Sequence, residues 1–138
     1  MKSGLLSRLL VLSLRLPLLI LVLVTAACEK EPGEGGNSVI RGRVLVKNFP
    51  LYQQSPAIDQ DVFIIYGDDD NTVDDRTRTS YDGTFKFQFL KKGRYKVFVY
   101  SQDTTPAFFG RDTAIILDAE ISKNHSEVTL RDLITFNL

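Results

Sequence analysis

Two residues that each occur only once limit the chemistry of this chain: the single cysteine, Cys28, and the single histidine, His125. One thiol cannot form a disulfide within the chain, and neither a Cys–His zinc set nor a Cys-X-X-Cys redox pair can be assembled. His125 lies in the polar stretch from Lys123 to Ser126, which predicts a solvated hairpin turn. No serine stands in the glycine-flanked pattern of a hydrolase nucleophile, so we expect neither catalysis nor a cofactor.

A run of carboxylates is the one candidate for binding a metal ion. Five aspartates fall within eight residues: Asp68, Asp69, Asp70, Asp74 and Asp75. Like charges this close repel one another unless a cation offsets them, and calcium prefers oxygen ligands. The run lacks the glycine and the terminal glutamate of an EF-hand loop, which favours a solvated loop. The alternative is a calcium site in which Asp68, Asp70, Asp74 and Asp75 are the ligands.

Residues 1–27 have the composition of an export signal. Three basic residues are followed by an apolar stretch from Leu16 to Val24 and then by small residues. Only 12 uncharged residues separate Arg15 from Cys28. A helix that spans a bilayer needs roughly 20 apolar residues. The sequence therefore predicts a signal peptide that is cleaved before Cys28.

The cysteine lies at the end of Thr25-Ala26-Ala27-Cys28. This segment resembles the lipobox of bacterial lipoproteins, whose cysteine is lipidated on sulfur and becomes the new N-terminus. The resemblance implies a membrane partner reached through Cys28, since acyl chains contribute about 0.8 kcal/mol per buried methylene. It also implies a location in the bacterial cell envelope. The alternative is an exported protein that is not lipidated.

Residues 28–37 predict an acidic, glycine-rich tether, because they offer no large apolar side chain to bury. Acidic residues beside a lipidated cysteine are similar to the surface-export signals of some Gram-negative lipoproteins. The outer membrane is therefore favoured, with the surface or the periplasmic face left open. Cleavage would remove three basic and no acidic residues and change the net charge from zero to about −3. A mildly acidic chain without a basic stripe does not suit nucleic acid.

Residues 38–138 predict one all-β domain of about seven strands, an antiparallel sandwich or barrel. Apolar residues alternate at period two, and glycine or aspartate interrupts the runs every ten residues or so. The clearest alternation runs from Thr84 to Phe89 and places three phenylalanines inward: Phe85, Phe87 and Phe89.

The alternation in the strand after Lys92-Gly93 predicts that a second set of aromatic residues lies on the side of the sheet away from the core. Its inward positions are Tyr95, Val97 and Val99, which leaves Phe98 and Tyr100 outward. Two further aromatic residues, Phe108 and Phe109, follow in a loop. Exposed together with Phe63 of an earlier predicted strand, which also points outward, these four aromatic residues would form a partner-binding patch. The sequence favours the other interpretation, in which the loop from Ser101 to Asp112 or the tether covers this face.

Four segments carry a resemblance that spans nearly the whole domain: Ile40 to Val44, Ala57 to Ile64, Thr79 to Phe85, and Leu90 to Val97. They are similar to the carboxypeptidase regulatory-like, or transthyretin-like, Greek-key sandwich. In that family the domain is usually a non-catalytic accessory or adhesion module. The resemblance implies a lipid-anchored binding or assembly module with an envelope protein or glycan as partner. A calcium- or carbohydrate-binding surface domain is the alternative, and a hydrolase comes last.

Overall fold

The computed structural model describes residues 31–138 except 49, 52 and 69–71. The predicted signal peptide and Cys28 lie outside the described residues. Nine strands are present in the described part of the chain: β1 (Glu34–Asn48), β2 (Gln53–Pro56), β3 (Asp61–Tyr66), β4 (Asp75–Arg78), β5 (Thr84–Leu90), β6 (Gly93–Gln102), β7 (Asp112–Ile121), β8 (Glu127–Thr129) and β9 (Leu133–Asn137). Within these same residues, no helix is long and apolar enough to cross a membrane.

The strands form two sheets, and the all-β prediction is confirmed. The first sheet is centred on β1, which pairs with β5 and β2 along one edge and with β8 and β9 along the other. The second sheet has the order β4-β3-β6-β7, with antiparallel pairing throughout. The apolar faces of both sheets contribute to one core, an arrangement consistent with a β-sandwich.

The core contains the inward residues that the alternation of β6 predicts. Tyr95, Val97 and Val99 are all at most 1% exposed. Residues of β5 and β1 in the other sheet belong to the same cluster, among them Phe85 and Phe87. Burying each of the aromatic rings of Phe85, Phe87 and Tyr95 contributes roughly 2 to 3 kcal/mol to the stability of the fold, before the loss of entropy is counted.

Pairing in the first sheet differs from the antiparallel prediction. Strand β1 runs parallel to β8 and to β9, so this sheet is mixed. The predicted last strand is also interrupted: between the pairs Arg41↔Thr129 and Val44↔Leu133, β1 advances three residues while the other chain segment advances four. That extra residue separates β8 from β9. Together with the short β2, it explains why the described residues contain nine strands instead of seven.

The predicted tether is shorter than its sequence suggests. Strand β1 begins at Glu34, so Glu34 to Asn37 belong to the sheet. Just before it, Pro32 is half-buried, and the amide of the buried Gly33 donates a hydrogen bond to the Tyr95 hydroxyl at 3.1 Å. Glycine also allows close approach at Gly36, because a Cβ there would lie 2.0 Å from the carbonyl oxygen of Leu90. These glycines therefore serve close packing instead of flexibility.

Phe89 does not point into the core as predicted. Its side chain is 67% exposed, and Leu90 fills the next core position with 1% exposure. Phe89 has a φ of 60°, and the register between β1 and β5 shifts where Ser38 pairs with Leu90. The extra residue of this β-bulge turns the phenylalanine to the surface.

Replacing Phe89 with glycine tests this bulge. A positive φ costs a residue with a Cβ about 1 to 2 kcal/mol relative to glycine. We therefore expect Phe89→Gly to leave the free energy of unfolding unchanged or to raise it by about 1 kcal/mol, measured by urea denaturation. A loss of about 3 kcal/mol or more, typical of an emptied core position, would show that the ring is buried.

Candidate binding face

Three aromatic rings cluster on the side of the second sheet that faces away from the core. Strand pairing aligns Phe63 of β3 with Phe98 of β6. Their ring centroids are 5.2 Å apart in a stacked arrangement, and Tyr100 meets both rings edge-on at 5.6 Å. Such geometries stabilise aromatic pairs by about 0.5 to 1.5 kcal/mol beyond the area they bury. The cluster is therefore a preformed surface.

The three rings differ in how much of each a partner could contact. Phe98 is only 6% exposed, whereas Tyr100 is 49% exposed. The prediction that both residues point away from the core is confirmed, but Phe98 supports its neighbours and offers almost no surface. Phe63 is partly exposed, and Tyr100 is the most accessible of the three rings.

Strand β7 adds an aliphatic residue that was not predicted from the sequence. Ile116 pairs directly with Phe98 and is 53% exposed, and Ala114 pairs with Tyr100. The available signal was the run from Ala114 to Leu117, which is apolar at successive positions and thus on both faces of its strand. We call Phe63, Phe98, Tyr100, Ala114 and Ile116 the outer apolar face.

Arginines border this face on the side of β4. Arg76 pairs with Phe63, and Arg78 pairs with Asp61, so both extend on the same side of the sheet. Arg78 contacts Asp61 at 3.0 Å and Asp59 at 3.2 Å. The hydrogen bond to Asp61 and the charge of Asp59 raise the pKa of the Arg78 guanidinium. The two arginines and the two aspartates give this border no net charge, while the centre is apolar.

The loop with the other predicted contact residues leaves Tyr100 and Ile116 of the outer apolar face exposed. Phe108 and Phe109 are 52% and 57% exposed, and they lie beyond the last β6–β7 pair, Gln102↔Asp112. Backbone hydrogen bonds close this loop, including those from Asp103 N to Arg111 O and from Gly110 N to Asp103 O. The Arg111 guanidinium lies 5.5 Å from the centre of the Phe108 ring. These two phenylalanines form a separate surface at one end of the sheet.

The described carboxylates of the acidic run each contact a different partner within the domain. Asp68 forms a 2.6 Å ion pair with Arg94, and Asp74 accepts a hydrogen bond from the Tyr66 amide at 2.6 Å. Asp75 accepts one from the Arg76 amide at 2.7 Å, and Asp70 lies outside the described residues. In the part of the chain that the structure describes, no three metal-ligating side chains gather. The calcium alternative stays a prediction, without a geometry that favours it.

His125 lies between β7 and β8, in a connection that crosses from one sheet to the other rather than in a hairpin. It has a φ of 55°, and its amide donates a 3.0 Å hydrogen bond to the side-chain oxygen of Asn37. The imidazole Nε2 lies 3.0 Å from the amide nitrogen of the same asparagine. These contacts hold the crossover against the start of β1.

A comparison with solved structures finds a similar protein, whereas the comparisons by sequence find none. No family model matches the chain, and no curated protein matches its sequence. A crystal structure of a "putative carbohydrate binding protein" from Pseudomonas aeruginosa superposes with a TM-score of 0.44 and 12% identity. The match covers 76% of this chain and 91% of the other. A TM-score of this size does not establish a common fold, so the description of the fold rests on the strand pairing of the chain itself.

Proposed function

We propose that this chain is a lipid-anchored module of the bacterial cell envelope that binds a protein partner through its outer apolar face and catalyses no reaction. The observation that carries the proposal is the half-exposed pair Tyr100 and Ile116, which lies over the buried ring of Phe98. Tyrosine and arginine are both enriched among the residues that contribute most to binding at protein interfaces.

The anchor in this proposal is Cys28, at the end of the lipobox-like segment Thr25 to Cys28. Lipidation would account for a single cysteine in an exported chain, and the outer membrane is the proposed location. We also propose that the sandwich is a variant of the carboxypeptidase regulatory-like Greek-key fold. The turns at Asp82-Gly83 and at Lys92-Gly93, which flank β5, support this assignment.

A protein suits the outer apolar face better than a glycan does. Sugars stack on exposed ring faces, but of the three clustered rings Phe98 is almost completely buried by its neighbours. Ile116, which is slightly more exposed than Tyr100, has no ring to stack against. An apolar centre with ion-paired arginines at its border instead matches the apolar core and polar rim of a protein interface.

Site-specific photo-crosslinking in intact cells tests this face. A benzophenone-bearing phenylalanine replaces Tyr100 in one variant and Phe89 in the control, since both are exposed aromatic positions but on different sheets. We expect a discrete protein adduct from position 100 and none from position 89. Adding Ile116→Lys to the first variant should abolish that adduct, because it places a charge at the centre of the apolar contact.

Three results would contradict the proposal. Equal adducts from both positions would indicate nonspecific collision, and the absence of an adduct at position 100 would remove the proposed interface. An adduct with twice the mass of the chain would assign the outer apolar face to self-association instead.

A further inference from the structure

The chain enters the sandwich at one end, where its first described residues are packed in place. Pro32 lies against Gly93, since a Cβ on that glycine would be only 2.5 Å from the proline Cγ. The Lys91 amide donates a 2.8 Å hydrogen bond to the Gly33 carbonyl. The backbone is therefore held against the domain from Pro32 onward. We call this the basal end, formed by Pro32 and the loops at 91–93 and 122–126.

Strand directions separate the basal end from the Phe108–Phe109 loop. Strand β6 begins at Gly93, beside Pro32, and ends at Gln102, immediately before that loop. Ten residues of strand extend about 33 Å at roughly 3.3 Å per residue. Strand β7 returns over the same length, and its last residue, Ile121, pairs with Gly93. The two phenylalanines consequently lie at the far end of the sheet.

The length of the connection to the anchor limits how the domain can move. Only Glu29, Lys30 and Glu31 separate Cys28 from Pro32. Four extended Cα steps span at most about 14 Å at roughly 3.3 to 3.6 Å per residue. This reach is less than half the length of β6, so the basal end stays close to an anchor at Cys28, and the far end cannot reach that anchor.

We propose that the basal end contacts the headgroup layer of the membrane and that the Phe108–Phe109 loop is held away from it. This inference rests on the lipid anchor proposed above. The outer apolar face then lies along the side of the upright domain, since its strands run from the basal to the far end. A partner can reach Tyr100 and Ile116 without displacing lipid.

Energy transfer to a labelled membrane tests the orientation. The lipidated full chain is reconstituted into liposomes that carry an acceptor dye on the lipid headgroup. Donor dyes are attached to single thiols introduced by Lys92→Cys at the basal end or by Ala107→Cys in the far loop, two exposed positions. Acylated Cys28 does not react with the donor. We expect transfer from position 92 to be several-fold more efficient than from position 107.

Flotation of the same liposomes separates failure of the anchor from failure of the orientation. If the labelled chains do not float, the anchor is wrong and the orientation falls with it. If they float but transfer is equal from the two positions, only the orientation is overturned.

A longer connection provides the matched control. Twenty Gly-Ser residues inserted between Glu31 and Pro32 add a coil of about 25 Å, from roughly 5 to 6 Å times the square root of the residue number. We expect this insertion to reduce the difference between positions 92 and 107. An unchanged difference would show that the short connection does not orient the domain.

Discussion

Tyr95→Ala is expected to lower the free energy of unfolding by about 3 to 5 kcal/mol, the loss typical of emptying a buried aromatic position. Tyr95 is 1% exposed, packs edge-on against Tyr66 at 5.7 Å and belongs to the core. A domain of this size is usually stable by only about 5 to 15 kcal/mol in total. Urea denaturation at constant pH measures the change.

Two companion variants show where the Tyr95 effect originates. Its hydroxyl accepts from the Gly33 amide and donates to the Lys91 carbonyl at 2.7 Å. Tyr95→Phe should therefore cost about 1 to 3 kcal/mol, because it leaves these groups without their partner. Tyr100→Ala removes the same side chain type from the outward side of the same strand. It should cost about 1 to 3 kcal/mol, less than Tyr95→Ala, because it loses two edge-on ring contacts but the ring is half-exposed. Equal losses for the two alanine variants would contradict the inward and outward assignment of β6.

Gly83→Ala is expected to destabilise the domain by about 3 kcal/mol or more, since it combines backbone strain with a steric clash. Gly83 has a φ of 79°, and a Cβ there would lie 2.4 Å from the carbonyl oxygen of Val44. The Gly83 carbonyl also accepts a 2.8 Å hydrogen bond from the Val44 amide. Any shift that relieves the clash therefore disturbs the contact between this turn and β1. Thermal and urea unfolding both report the loss.

Gly110→Ala is the matched control for Gly83→Ala. Gly110 has nearly the same φ, 77°, but a Cβ on this glycine would meet nothing within 4 Å. We expect a cost of about 1 to 2 kcal/mol from the positive φ alone. If the two alanine variants lose the same stability, the close approach of Gly83 to Val44 is absent in solution.

Local patterns predicted the strands and their inward faces, because alternation is a property of each segment. The alternation in β6 correctly placed Tyr95, Val97 and Val99 in the core. The bulge at Phe89 escaped prediction, since it depends on a register shift between β5 and residues of β1 about fifty positions earlier in the chain. The same limit applies to the parallel pairing of β1 with β9, which no single strand encodes.

The candidate site was predictable in part. The outward direction of Tyr100 follows from its own strand, but the cluster requires β3, β6 and β7 to align Phe63, Phe98 and Ile116. The glycines in residues 32–37 predicted a flexible tether, but β1 begins at Glu34. In the structure Gly33 and Gly36 are the residues that permit close backbone contact with the domain.

Mass spectrometry of the mature chain purified from bacterial membranes tests the central claim, that the domain is anchored to a membrane through lipidated Cys28. We predict an N-terminal peptide that begins at Cys28 and carries acyl chains, with Cys28→Ala releasing the chain from the membrane fraction. A mature N-terminus at any other residue, or an unmodified Cys28 in a chain that still sediments with membranes, would contradict the account.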